Sequence, residues 1–437
     1  MMLTWLKDWF HKPTPTLATA PPLRSASSSA KPTAHPGLMR RQLVLDHHLR
    51  AHAYALSLRH LPQATHANAH LLRNDEILLC EVSLLLAQDH APQRPLWLEL
   101  EWESLASSRF AGIQTDHALT LLARGRLPSE TGPLIHEFKQ HWATHTLGCT
   151  YDAQLLSVPH LGEQIQLIHI QIADADISQI SQLIQKCHQF APNAKLWADG
   201  VNSQETAEAC IGMGINFVSG AIFSHPPQLG GHLPASFMRL NQALQQAQAG
   251  APFTDIAETI RVDPALSTRL LRYVNSAALG LNHPINYLID ALNVLGQQRL
   301  YRWLALLLFN PSDASPLDDT LLEAALTRAR LMELLGLAHL SPAQCELLFL
   351  TGLFSLLDYL LRVPRSLLLS ELKMPELVAQ TLAGSPTVLT PYLNLAIQSE
   401  QGELPDATLL QQCHCDASHF NQYQLDATMW VLTTLSS

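Results

Sequence analysis

Charge is scarce in this chain. Charged residues fill only 15% of its 437 positions, and 27 lysines and arginines face 37 aspartates and glutamates, for a formal net charge of −10 at neutral pH. An acidic surface gains nothing from a phosphate backbone, and no basic patch of useful size interrupts it, which argues against broad nucleic-acid binding. Cysteine is sparse too: seven residues, at 80, 149, 187, 210, 345, 413 and 415, odd in number and without framework spacing. That pattern points to reduced thiols in a cytoplasmic protein rather than to a disulfide scaffold. Long apolar runs are missing. The longest, Leu347 to Leu357, lies between Glu346 and Asp358 and is far too short to be an integral membrane segment. The opening residues are apolar, but Lys7 and Asp8 interrupt them and leave no secretory signal core. Gly212-Met213-Gly214 lacks the other glycines and the Lys-Ser/Thr pair of a P-loop, and no G-x-S-x-G elbow occurs.

Apolar residues, by contrast, reach 47%, enough for well-buried cores, and a chain of this length exceeds what one core supports, so two domains are expected. Residues 1–12, MMLTWLKDWFHK, place Leu3, Leu6 and Phe10 at helical spacing with Trp5 and Trp9 four apart beside them. Pro13 stops this amphipathic helix, and residues 13–39, rich in Pro, Ser, Thr and Ala, read as a flexible tether. A short apolar helix on a tether suits docking to a partner groove or, peripherally, to a membrane face; folding back onto its own domain is the structural alternative.

Residues 40–228 alternate strand-like runs (RQLVLD, PLWLEL, QLIHIQIAD) with stretches of helical spacing (HALTLLARGRL, ISQLIQKCHQF), the pattern of a parallel α/β unit. WADGVNSQETAEACIGMGINFVSG, 197–220, reads as strand, helix and strand, with Asp199 at the carboxyl end of the first strand, where barrel enzymes keep catalytic groups. From 235 onward strand signals vanish. VDPALSTRLLRYVNSAALG opens with Asp263 as N-cap and Pro264 at the first helical position and is expected to run to Gly280; INYLIDALNVLG ends at Gly296.

Histidine is abundant, 22 in all, with six in DHHLRAHAYALSLRHLPQATHANAH. These are read as exposed polar residues rather than as a metal cluster, since His48 and His52 do not converge if the stretch is a strand. Cys413, His414, Cys415 and His419 carry one-residue cysteine spacing, which is poor for zinc.

DPALSTRLLRYVNSAALGLNHPINYLIDALNVLGQQRLYRWLALLLF, with Asn275-Ser276-Ala277, Gly280, His283-Pro284 and Leu295-Gly296, resembles the HDOD domain of bacterial signalling proteins, and the likeness covers most of 235–437. RQLVLDHHLRAHAYALSLR, 41–59, and the passage around Asp199 are similar to EAL domains, which hydrolyse cyclic di-GMP on a (β/α) barrel with two divalent cations. Together the halves look like the EAL-HDOD (YuxH-like) architecture. The expected fold is therefore α/β plus all-α: a degenerate EAL-type barrel at 40–228 followed by an all-helical HDOD domain at 235–437.

The resemblance places the EAL motif's glutamate on Ala55, the strand-end asparagine on Glu99, a second glutamate on Thr120, and paired acids near Tyr151-Asp152. A lysine falls on Gln171 and an aspartate on Ala173, while two further glutamates fall on Asp199 and Asn202 and a glutamine on Ser219. Too few carboxylates remain for a two-metal site. Arg59 keeps the motif's arginine, which in the family faces the nucleotide. Residues 235–437 contain no His-Asp pair, and neither His283 nor His339 has the acidic neighbour of a metal-dependent phosphohydrolase. The expectation is a non-catalytic cytoplasmic regulator without cofactor or metal, acting on other signalling proteins in motility, pilus or biofilm control. Homodimerisation is left open, with a non-hydrolysing cyclic di-GMP receptor as the alternative and an active phosphodiesterase as the weaker one. If Leu3, Trp5, Leu6, Trp9 and Phe10 form a docking face, Trp5→Ala with Trp9→Ala abolishes recruitment in pull-downs and leaves the melting temperature unchanged; an equal loss of thermal stability shows self-packing instead.

Overall fold

The computed structural model describes residues 37–436 apart from 60–67, 87–93, 106–118, 126, 128–135, 137–139, 141, 143, 159, 174, 224–232, 234, 276–282 and 310–315. Leu3, Trp5, Leu6, Trp9 and Phe10, and the tether behind them, lie outside the described residues.

Eight strands close into a barrel in sequence order: β1 Leu38–Leu45, β2 Ala51–Arg59, β3 Leu96–Glu101, β4 Thr120–Arg124, β5 Thr146–Thr150, β6 Leu167–Gln171, β7 Lys195–Val201 and β8 Phe217–Gly220. β1 runs antiparallel to both neighbours and the other pairings are parallel. Helices of nine residues or more are numbered α1 Asn68–Leu86, α2 Ile177–Phe190 and α3 Gln204–Gly212 around the barrel. The helical half follows with α4 Ala235–Gln248, α5 Phe253–Arg261, α6 Pro264–Val274, α7 Leu288–Leu307, α8 Pro316–Gly336, α9 Pro342–Phe354, α10 Thr390–Gln401 and α11 Ala417–Ser436. The architecture is α/β plus all-α, as the sequence led us to expect.

Local chemistry explains most boundaries. Asp176 and Gln179 cap α2 reciprocally, Ser341 and Gln344 do the same for α9, and Asp263 accepts from the Ala265 and Leu266 N–H groups ahead of Pro264. α6 stops at Val274, short of the expected Gly280, because the Asn275 side chain turns away to bond both the N–H and the carbonyl of Ile285. Gly296, at φ 69°, breaks α7 where a helix end was expected. HALTLLARGRL, read as helical, contains β4 instead. Its run Leu121-Leu122-Ala123 is apolar on both faces because the strand is buried from both sides, which erases the alternation a half-exposed strand would show.

The strands face two cores. Val44, Ala53, Ala55, Trp97, Leu122, Leu167, Trp197 and Phe217 fill the barrel interior, with the Trp97 and Trp197 rings edge to face at 5.3 Å. Outside, strands and helices share a second core. A third binds the helical half, where α8 and α9 approach so closely that a Cβ on Gly352 would lie 2.6 Å from the Ala329 Cα. Pro342–Leu361 is long and apolar enough to cross a membrane, but 78% of its apolar window is buried inside this core.

The barrel's seam is thin. β1 pairs with β8 only at Leu45 and Val218, and α10 and α11 cover the remaining edge. The Met39 N–H donates to Asn421 Oδ1 (2.7 Å), and Gln424 Nε2 donates to the Met39 carbonyl (3.0 Å). Asn421 Nδ2 donates to the Gly37 carbonyl (2.8 Å). These side chains act as the missing neighbour strand. Thr320 of α8 clamps the β1–β2 turn, accepting from the Ala51 N–H (2.9 Å) and donating to the Leu49 carbonyl (3.0 Å). Asn421→Ala strands two buried backbone groups and is expected to cost about 3 kcal/mol in urea unfolding. Fluorescence of the barrel tryptophans and helical circular dichroism should fall in one transition.

Candidate functional site

Because β1 is antiparallel, its first residues lie beside the carboxyl ends of the parallel strands, the end at which barrels build their sites. Side chains alternate along each strand. β1 thus sends Arg40 and Gln42 to the same mouth that receives Arg59 from β2, Glu99 from β3, His169 from β6, Asp199 from β7 and Ser219 from β8.

Arg40 is the centre of this group. It donates from Nη1 to Glu99 Oε1 (2.9 Å), from Nη2 to Asp199 Oδ2 (2.5 Å) and from Nε to the carbonyl of Gly402 (2.7 Å), the residue that ends α10. Glu99 Oε2 accepts from Arg59 Nη2 at 2.5 Å. Asp199 Oδ1 accepts from Gln42 Nε2 (2.7 Å), Ser219 Oγ (2.9 Å) and the Gly200 N–H (2.7 Å). His169 Nε2 stands 3.6 Å from Asp199 Oδ2, too far for a hydrogen bond. Every oxygen of both carboxylates is engaged.

Both acids are almost fully buried, which by itself raises a carboxyl pKa. For Asp199 the Arg40 guanidinium, at hydrogen-bond distance, helps to outweigh burial, and the carboxyl is held well below the usual range. For Glu99 the charges of Arg40 and Arg59 do so. Two guanidinium groups against two carboxylates leave the cluster neutral. A pair of hard divalent cations needs a shell of uncommitted oxygens. Here a fixed guanidinium already lies between the two acids, and the donor set does not fit such metals.

The other positions assigned by resemblance are placed as follows. Ala55 is buried in the inner wall, and Glu99, Asp199 and Ser219 meet at the mouth. Thr120 does not belong with them. It pairs with Trp97, whereas Glu99 pairs with Leu122, so Thr120 lies a layer deeper, and the β4 residue at the mouth end is Arg124. Asp152 caps a short 3₁₀ turn, Asn202 accepts from Thr206, and Gln171 and Ala173 are exposed on the rim. Arg59, the nucleotide candidate, is about one-third exposed and tied to Glu99.

Among the histidines, His47 and His48 are exposed, but His52 is half-buried, stacked on Phe217 at 4.6 Å, and burial lowers its pKa. The expectation of exposed polar histidines fails there because the register shift opposite Val44 and Leu45 breaks the alternation and sets the His52 ring against the interior Trp97 and Phe217. His339 bonds the Tyr392 hydroxyl at 2.5 Å, and burial raises the Cys413 and Cys415 thiols to about 12. Sequence reading missed Arg40 and Gln42. Their signal was a charged and an amide residue within an apolar strand, where burial demands partners.

A model of the HDOD domain matches residues 231–361. Residues 231–361 are an HDOD domain. The chain is similar to protein YuxH of Bacillus subtilis, 26% identical over 243 residues, covering 53% of this chain and 59% of YuxH. It is also similar to the cyclic di-GMP phosphodiesterase CdgJ of Vibrio cholerae, 23% identical over 273 residues, 61% of this chain and 62% of CdgJ. It thus spans about three-fifths of the length of these curated relatives. An EAL domain protein from Listeria monocytogenes aligns over 43% of this chain and 87% of its own, with 15% identity and a TM-score of 0.34. A barrel followed by an HDOD domain is consistent with an EAL-HDOD protein.

Replacing Arg40 tests the cluster. Arg40→Met leaves the two buried carboxylates with Arg59 as their remaining guanidinium partner, so one negative charge is uncompensated. It is expected to destabilise the fold by about 3–5 kcal/mol, with most of that recovered when Asp199→Asn is added. Because folding depresses both carboxyl pKa values, their contribution is full above the unfolded values of about 4 and is lost as pH falls through the lower folded ones. Asp199→Asn should flatten the loss of stability measured below about pH 4.

Proposed function

We propose that this protein is a non-hydrolytic regulator in cyclic di-GMP-linked bacterial signalling, acting in the cytoplasm by docking to other signalling proteins. The observation that carries this reading is Arg40, fixed between Glu99 and Asp199 and held from behind by the Gly402 carbonyl. Hydrolysis of a phosphodiester needs an activated water and a place for the leaving charge. At this mouth the carboxylates neutralise arginines, and neither has an oxygen free to take a proton. Ala55 offers no ligand, and Gln171 no charge. The link to cyclic di-GMP rests on the likeness to CdgJ and on the EAL-like sequence of the first half. What remains is surface, and a signalling role through surfaces needs no turnover.

Purified protein titrated calorimetrically with cyclic di-GMP in Mg²⁺, followed by chromatography of the nucleotide, is expected to give neither heat nor product. Ala55→Glu is expected to give no product either, because one carboxylate cannot displace Arg40 from its two anions. Product from either protein overturns the reading. Heat without product replaces it by a receptor, in which Arg59→Ala should abolish the signal.

A further inference from the structure

A cavity of about 460 Å³ lies between the barrel and the helical half. β1 and β2 supply Arg41, Leu43 and Tyr54, the turn after β8 supplies Ile222 and Phe223, and α8 and α10 close the other side with Arg328, Leu393 and Ile397. Its rim opens to solvent at Gly384 and Asn394, both exposed. The volume suits a small organic molecule. It is separate from the barrel mouth, because Arg41 follows Arg40 on β1 and points to the opposite face.

The cations of this cavity are not equivalent. Arg328 is neutralised by a bidentate pair with Glu400 and also bonds Ser355 Oγ (2.7 Å). Arg365 pairs with Asp358 at 2.8 Å. Arg41 has neither. It is 3% exposed, and among the described residues its Nε and Nη2 have no hydrogen-bond partner and it forms no ion pair. Its contact is the Tyr54 ring, 5.6 Å from the guanidinium carbon. The nearby carboxylate of Glu323 is occupied, with Oε1 accepting from Tyr54 (2.8 Å) and Oε2 from Arg94. A buried guanidinium with open donors, facing a cavity with apolar walls, is unfavourable unless an anion completes it.

We propose that this interdomain cavity is a binding site for a small organic anion, with a carboxylate or phosphate head on Arg41 and an apolar body against Leu43, Phe223, Leu393 and Ile397. Both halves of the chain line it, so the bound molecule stabilises their docked arrangement by mass action. The inference does not depend on what the barrel mouth does, and its test contains no cyclic nucleotide.

The full chain is titrated calorimetrically with octanoate and with phenyl phosphate, using octanamide and benzyl alcohol as uncharged controls, and melting temperatures are recorded alongside. At least one anion is expected to bind and raise the melting temperature while the controls do not; which one binds identifies the head group. Arg41→Met should weaken that binding at least about tenfold, the loss of one charged hydrogen-bonding contact. It should also raise the melting temperature of the ligand-free protein, since it removes an unpaired buried charge. Ile397→Trp, which fills the cavity and leaves Arg41 in place, should block binding too. The proposal is overturned if neither anion binds more tightly than about 1 mM, if Ile397→Trp leaves binding unchanged, or if Arg41→Met binds as well as the parent or melts lower without ligand.

Discussion

Moving a guanidinium from water into a protein interior is unfavourable by several kcal/mol unless anions meet it there with good geometry. Arg40 imposes that condition on this barrel. Its three bonds reach β3, β7 and the end of α10, so two distant strands and a helix of the other half must be in place before its charge is neutral. The helix can deliver its carbonyl because Gly402 ends α10 at φ 74°, and a Cβ there would lie 2.5 Å from Gln42 Nε2 and 2.8 Å from Arg40 Nε. The ionic cluster and the approach of the helical half therefore depend on each other.

The same dependence appears along the seam. A barrel joined by one residue pair between β1 and β8 leaves backbone groups of β1 unpaired, and unpaired groups that are buried are costly. Asn421 and Gln424 satisfy them from α11. The apolar cores interlock as well: Leu38 of β1 belongs to the helical core, and Leu425 and Leu432 of α11 belong to the barrel's outer core. Two domains by composition are thus fused at β1, the strand that neither half completes alone.

Much of this was legible in the amino-acid order, for local reasons. Asp263-Pro264 and the break at Gly296 are signals spanning a few residues, and the helical half declares itself by periodicity. Asp199 was placed at its strand end because an acid closing an apolar run is visible without a partner. β4 was misread because a strand buried on both faces carries no alternation, and its five residues are too few to separate from a helical turn. Thr120, matched by resemblance to a ligand position, lies a layer below Glu99, and this depth has no signature in β4 alone because register between parallel strands is fixed by pairing. The seam left no local signature at all. Asn421 and Gln424 read as ordinary polar positions on a helix until the edge they satisfy is known.

β1 shows most plainly where sequence reading ends. Arg40 and Arg41 are adjacent and chemically identical, so composition and motif treat them alike. The two-residue period of a strand sends them to opposite faces. Inside the barrel, Arg40 finds Glu99, Asp199 and Gly402 and becomes a structural group. Outside, Arg41 enters a cavity whose lining acid, Glu400, is held by Arg328, while the Glu323 carboxylate is held by Tyr54 and Arg94. Stability alone would favour an apolar side chain at position 41, since the Tyr54 ring and the charge of the already paired Glu323 repay only part of the cost of burial. A side chain that burdens the fold and opens onto a cavity is better explained by what the cavity admits than by what the core requires.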